Sequence, residues 1–364
     1  MPPGGEYPLE MQSTELDQDR VKIFARELLK LYTGSVLTRL IALGHDLGLF
    51  NVLAQGAATS DELATRAHLQ ERYVREWLGA MATGGFVTYD VETKSYALPA
   101  EHALLLAGDT GRNMAPFAGL LEALGSHMAE LEDCFRVGGG IPYSSFRPAF
   151  TQRIDDSWRR IYDDFLLSQF LPLDAELPAR LKAGCSAVDI GCGSSHAVNV
   201  MAAAYPRSKF IGYDIGEDAI VTAKAEAARL GLSNAIFEVL DVTRLAAQPK
   251  QDVIFAFDAI HDQVDPQLVL RRVAGALKPD GIFYAVDFKF ASDVAGNLAN
   301  PFAPMYYGIG LIHRMTVSLA EGGAGLGTVW GVELATQMLR DAGFANIEVR
   351  DTPRPQNCTY ICRF

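Results

Sequence analysis

Ten residues, Val188 to Ala197, narrow the choices for this chain more than any others: VDIGCGSSHA. The apolar residues around Asp189 read as the end of a buried strand, Gly191 and Gly193 as a tight turn, and the residues after them as the start of a helix. Downstream the same alternation repeats. Strand-like runs SAVDI, KFIGYDI, AIFEVLD, QDVIFAFDAI and GIFYAVD are each separated by a stretch of helical periodicity. The expected fold is α/β, a doubly wound Rossmann-like sheet whose ligand sits at the carboxyl ends of the strands. A helix over 333–342 and two closing strands over 345–350 and 358–363 complete it. At 364 residues the chain is longer than one core usually serves, so a second domain is expected before this one.

The glycine turn first brings a nicotinamide dinucleotide to mind, but that fingerprint needs a third glycine where this chain has His196. The acid before the turn argues further against it. A carboxylate at Asp189 repels a pyrophosphate and suits a cationic ligand, an ammonium or a sulfonium. Asp214 ends the second strand, where a carboxylate accepts hydrogen bonds from both hydroxyls of a ribose. Asp241 ends the third, within reach of an adenine amino group. One acid at a strand end is commonplace; three on successive strands along the ligand edge point to a nucleoside.

The N-terminal third has another character. Residues 21–50 show helical spacing, with Gly34, Gly44 and Gly48 as breaks between two helices. Thr59 or Ser60 caps a helix, a second runs from Glu71 to Thr83, and residues 86–98 alternate as two short strands: a winged helix. Residues 1–110 hold nine basic residues against fifteen acidic ones. That balance, within a net charge of −12, disfavours nucleic acid and favours an oligomerisation module. Residues 106–172 read as broken helix, with VGGGIPYSS as a flexible interruption and 156–173 as one amphipathic helix. No run is long and apolar enough for a membrane span. The first twenty residues lack the charge and apolar pattern of an export signal. The five scattered cysteines fit a reducing cytoplasm, and Cys358 with Cys362 lacks the further ligands of a metal site.

Taken together, the motifs resemble the class I S-adenosylmethionine-dependent methyltransferases. VDIGCGSS stands for their DxGxGxG loop, FIGYDI for the ribose acid, LDV for the adenine acid and LKPDGIFYAVD for the fifth strand. The likeness covers residues 173–364 and includes a reversed strand closing the sheet. It departs at Ser195, where the family usually has its third glycine. The resemblance implies S-adenosylmethionine as cofactor, with Asp189, Gly191 and Gly193 at the methionine end, Asp214 on the ribose, Ile215 against adenine, Asp241 and Val242 at its edge, and Phe257 near the methyl. With an acidic winged helix in front, the chain is similar to dimeric small-molecule O-methyltransferases. GGGIPY and MTVSLAEGGAGLGTVWG are also similar to a bacterial winged-helix methyltransferase group. The implied domains are a disordered tail (1–19), a winged-helix dimerisation domain (20–105), a helical linker or lid (106–172) and the methyltransferase domain (173–364).

The small-molecule O-methyltransferases usually carry HDWSD after the fourth strand, its histidine being the general base. Here FDAIHDQVDP aligns His261, Asp262 and Asp265 but not Gln263 and Val264, so His261 reads either as base or as a helix cap. His196 reads as structural, His313 as an alternative base, and Met305, Tyr306 and Tyr307 as pocket wall or plain core. The expected reaction is methyl transfer to a small-molecule acceptor, a hydroxyl first. Transfer to a thiol or amine without a base, and a cofactor-sensing winged-helix regulator, stand as alternatives.

Overall fold

The computed structural model describes residues 16–364. The expected tail therefore lies outside the described residues except at its end, where Gln18 already begins a helix. Asp17 caps it, accepting from the N–H groups of Asp19 and Arg20 at 3.0 and 3.1 Å. This helix runs unbroken from Gln18 to Asp46, through both Gly34 and Gly44. Gly44 is kept for packing, not for a bend: a Cβ there would stand 2.5 Å from the Trp77 ring. The break falls at Gly48, in the left-handed region, before the short helix Leu49–Leu53. The helix Ser60–Ala67 starts with a capping box between Thr59 and Glu62, Glu71–Thr83 follows, and β1 (Thr88–Asp90) pairs antiparallel with β2 (Ser95–Ala97). Phe50, Leu63, Trp77, Leu78 and Met81 form the core of this winged helix.

Helices Ala115–Gly125, Met128–Val137, Tyr143–Phe146 and Ala149–Ile161 link the two halves. The glycine run does interrupt them: Gly138 and Gly139 are exposed, and the run is docked only at its end. Ile141 is buried and its N–H donates to Thr316 Oγ1 at 2.8 Å, while Gly140 lies so close to the Thr316 carbonyl that no side chain fits. The last of these helices continues through a wide π-type turn, Tyr162–Phe170, and a 3-10 turn, Leu171–Leu173, into the second domain.

That domain is built on seven strands: β3 (Ser186–Ile190), β4 (Lys209–Asp214), β5 (Ala235–Val239), β6 (Gln251–Phe257), β7 (Leu277–Phe288), β8 (Asn346–Asp351) and β9 (Asn357–Arg363). Their order is β5-β4-β3-β6-β7-β9-β8; the first five run parallel, and β9 is antiparallel to both neighbours. Alternation along β6 supplies both faces. Val253, Phe255 and Phe257 join a core with Met201 and Tyr284, while Ile254 and Ala256 join one with Phe283 and Leu339. The chain winds one way from β3 to β4 and the other way to β6, so a crevice opens at the carboxyl ends of β3 and β6.

Candidate active site

A cavity of about 670 Å³ occupies that crevice. The turn after β3 forms one wall. Gly191 adopts φ +65°, and a Cβ on it would meet the Ala259 Cβ at 2.7 Å, so only glycine permits this approach of two strand ends. The Gly193 N–H donates to Asp214 Oδ2 at 2.8 Å, and the Gly216 N–H to Asp214 Oδ1 at 2.7 Å. Ser195, which stands where a third glycine was expected, takes φ +59°, a left-handed conformation that glycine adopts more freely. Each Asp214 oxygen keeps a lone pair for a further donor. Burial raises the carboxyl's pKa, opposed by the two N–H bonds.

Beyond Asp214, Ile215 lies on the cavity wall yet is 53% exposed, an apolar face with nothing stacked on it. Asp241 lines the same end. Its Oδ1 accepts from Thr243 N–H and Oγ1 at 2.9 and 2.7 Å and so fixes the turn that carries Val242. At the other end Phe257 stacks on Phe255 and meets the edge of Tyr162 at 5.7 Å. The sequence-derived residues Gly191, Gly193, Asp214, Ile215, Asp241, Val242 and Phe257 thus share one cavity.

Two expected residues are not in its wall. Asp189 is 3% exposed and outside the wall; strand alternation turns its side chain to the sheet face of Ala187, near Tyr162. Its Oδ1 has no partner, and burial together with Asp214 drives its pKa well up. His261 is the second. It is 0% exposed, with Nδ1 donating to Asp287 Oδ1 at 2.8 Å and Nε2 3.4 Å from Asp262 and 3.9 Å from Asp258. Burial lowers its pKa, but Asp287, Asp262 and Asp258 outweigh that and lift it to about 9. The three carboxylates favour the protonated form of the ring; the helix that follows is capped by Asp265, which accepts from Leu268 N–H at 2.8 Å.

The remaining wall comes from the linker helices and from the segment that carries His313. Phe150, Ile154 and Trp158, four residues apart on one helix face, line the cavity with Tyr143 and Tyr162. From the far side a second π-type turn, Gly310–Arg314, inserts His313 and Arg314. Arg314 Nη2 donates to Asp258 Oδ2 at 3.1 Å and Nη1 to Asp262 Oδ2. His313 stacks on Phe150 with ring centres 3.9 Å apart; burial and Arg314 push its pKa down to about 3. Tyr306 is core, packed on Phe288 and Phe290, and lies outside the cavity wall with Met305 and Tyr307. His196 also lines the cavity, its ring held by Glu226 at 3.0 Å and Asp163 at 2.8 Å. The apolar four-residue spacing of 150–158 was the available signal for the aromatic wall; Arg314 carried none.

Comparison with known proteins agrees with this architecture. Residues 181–320 match the methyltransferase-domain family, and residues 35–108 match the Rv2258c-like winged HTH domain family. The chain is thus a winged-helix domain joined to a methyltransferase domain. A trans-aconitate 2-methyltransferase of Variovorax paradoxus is 29% identical over 138 residues, 38% of this chain and 48% of its own. The chain spans about half the length of the curated relatives it matches. Among solved structures, an O-methyltransferase family protein from Burkholderia thailandensis superposes with a TM-score of 0.67 at 17% identity, covering 93% of this chain and 97% of that one. Human N-acetylserotonin methyltransferase in complex with SAM gives 0.65 at 17% identity, over 96% and 99%. At such identities the likeness is one of fold. Among the described residues no helix is long and apolar enough to cross a membrane.

Proposed function

We propose that the protein is an S-adenosylmethionine-dependent methyltransferase acting on a small, largely apolar acceptor through a hydroxyl group. One observation carries the reading: a single cavity joins a nucleoside-shaped end, Asp214 beside the uncovered Ile215, to an aromatic end with a buried acid–base cluster. The residues present fit the cofactor. Asp214 has acceptor capacity left for a ribose diol, Ile215 offers a flat apolar face, and Gly193 leaves open space where a Cβ would stand. When bound, S-adenosylmethionine supplies an electrophilic methyl group. The protein's part is to orient the acceptor, exclude water and take up a proton.

The aromatic wall supports an uncharged acceptor. The two arginines of the wall, Arg147 and Arg314, are both engaged by carboxylates, Asp218 and the Asp258–Asp262 pair. An acceptor with several carboxylates, as the name of the Variovorax relative indicates for that enzyme, therefore gains little here. The acidic winged helix supports pairing with a second copy rather than with nucleic acid, and the five free cysteines support a cytoplasmic setting. Calorimetry with S-adenosylmethionine and its demethylated product, followed by mass spectrometry over a panel of phenols, carboxylic acids and thiols, tests the reading. Binding of both nucleosides with methylation of a hydroxyl is expected. Heat with NAD but none with the sulfonium would overturn the assignment, and methylation of thiols alone would move it to sulfur.

A further inference from the structure

We propose that the Tyr162 hydroxyl grips the acceptor, donating a hydrogen bond to the oxygen that is methylated. The inference rests on the methyl-transfer reading above and deepens it by naming the side chain that orients the acceptor. Tyr162 opens the π-type turn Tyr162–Phe170 and lines the cavity. Its ring meets the edge of Phe257, the residue expected near the methyl, and stacks on Trp158 at 5.3 Å with an interplanar angle of 22°. Asp189, on the strand before the glycine turn, is the charged group that acts on it most, followed by Asp258. Tyr162 thus stands where the nucleoside end of the cavity meets the aromatic end. Packing fixes its ring, and only the hydroxyl is left to choose a partner.

That hydroxyl has no hydrogen-bond partner among the described residues, yet it is within reach of a ligand. The unpartnered atoms shut away around this end are Asp258 Oδ1, Asp262 Oδ1, His261 Nε2 and both nitrogens of His313; Tyr162 Oη is not one of them, and the residue is half-buried. Other polar groups of the wall are already held: Arg314 by Asp258 and Asp262, Asp155 by Arg159, and the Gln263 amide by the Ala259 carbonyl at 2.9 Å. Tyr143, the wall's other phenol, faces Asp214 before any other carboxylate and so belongs to the nucleoside end. Burial, with Asp189 and Asp258 adding to it, holds the Tyr162 phenol well above its ordinary range, so it remains an O–H donor at any working pH.

A neutral oxygen suits this place better than an anion. Asp189, Asp258 and Asp155 all oppose negative charge at Tyr162 Oη, and only the Arg354 guanidinium, lying over the Trp158 ring at 4.6 Å, favours it. The carboxylate of the cofactor's methionine part is disfavoured there, whereas the hydroxyl of an uncharged acceptor is not. A hydroxyl oxygen has two lone pairs. One taken by Tyr162 leaves the other to face the methyl beside Phe257, with the rest of the acceptor against Phe150, Ile154 and Trp158. Sulfur is a weak hydrogen-bond acceptor, so the same contact selects oxygen over a thiol.

The test uses the full-length protein with the demethylated cofactor present, and two probes that differ only in the oxygen, 4-methylphenol and toluene. Tyr162→Phe keeps the ring and its stack on Trp158 and removes the hydroxyl alone. By calorimetry the variant should bind 4-methylphenol about tenfold more weakly than wild type, the usual effect of one lost hydrogen bond, and bind toluene as wild type does. Its melting temperature and its affinity for S-adenosylmethionine should stay as they are. A second readout watches the hydroxyl itself: in tyrosine isotope-labelled at Cζ, the magnetic-resonance signal missing from Tyr162→Phe should move when 4-methylphenol is added to wild type and not when toluene is. Equal affinity of the two proteins for 4-methylphenol, or a signal that stays in place, overturns the proposal. So does an equal weakening of both probes, which would make Tyr162 a packing residue. A loss of S-adenosylmethionine affinity with phenol binding unchanged overturns it by placing the hydroxyl on the methionine part, and so does a wild type that binds S-adenosylmethionine but not 4-methylphenol. A wild type that fails to bind S-adenosylmethionine overturns the methyl-transfer reading itself, so the two failures are distinct.

Discussion

Asp214 holds three things together: the glycine turn through Gly193, the start of the next helix through Gly216, and the lone pairs left for a ribose. Its substitution by alanine frees two backbone donors as well as removing an acceptor. Hydrogen bonds to a charged group contribute about 1.5–3 kcal/mol each, so affinity for S-adenosylmethionine should fall by about 10–100-fold, read by calorimetry, with a lowered melting temperature. Wild-type affinity in that variant would remove Asp214 from the ribose. Its position was legible because strand end and acid coincide in a short motif. The state of His261 was not. Its partner Asp287 lies on another strand, and Arg314 on a turn far along the chain, so neither its burial nor its charge is written near HD.

The helix Ala149–Ile161 serves two neighbours. One face carries the aromatic stripe of the cavity; the other carries Arg153 and Asp156, which meet Asp46 and His45 at the end of the first helix. Burial raises the pKa of Asp156, but bonds from His45 and Arg160 outweigh it and bring it down to about 2. An unfolded aspartate titrates near about 3.9. The folded state therefore favours the ionised form, a stabilisation present above about pH 4 and lost as pH falls towards about 2. Asp156→Asn should lower stability by about 1 kcal/mol at neutral pH, screening taken into account, and flatten the acid limb of the curve. Urea unfolding at several pH values reads both; an unchanged acid limb would mean the pair contributes nothing. The alternating strands of this molecule, its wing and a cap at Thr59 or Ser60 were all visible in local pattern. The docking of Gly140 was not legible within the glycine run, because glycine serves freedom and close contact alike, and only the approach of Thr316 distinguishes them.

At the scale of the molecule the first helix is the open question. Ile23, Phe24, Leu31 and Tyr32 are 59–68% exposed along its outer side, more apolar surface than a lone chain usually leaves in water. A second copy meeting this face in a two-fold pair would cover it. Light scattering should return a dimer, and Phe24→Glu with Tyr32→Glu should return a monomer that still binds cofactor. A wild-type monomer at working concentration would refute the pairing, and a salt-sensitive complex with duplex DNA would turn attention to the regulator alternative.

The reversed strand has a consequence for how the molecule comes into being. Chain order places β8 before β9, yet in the sheet β8 has no neighbour except β9. On the ribosome, β7 and β8 are therefore made with an empty slot between them. Their facing edges, which include the buried Tyr284, wait for β9, made after both, to slide in and mate with each. Part of the nascent protein benefits from shelter against other sheet edges until then, because the piece that locks it is made after both of the strands it joins.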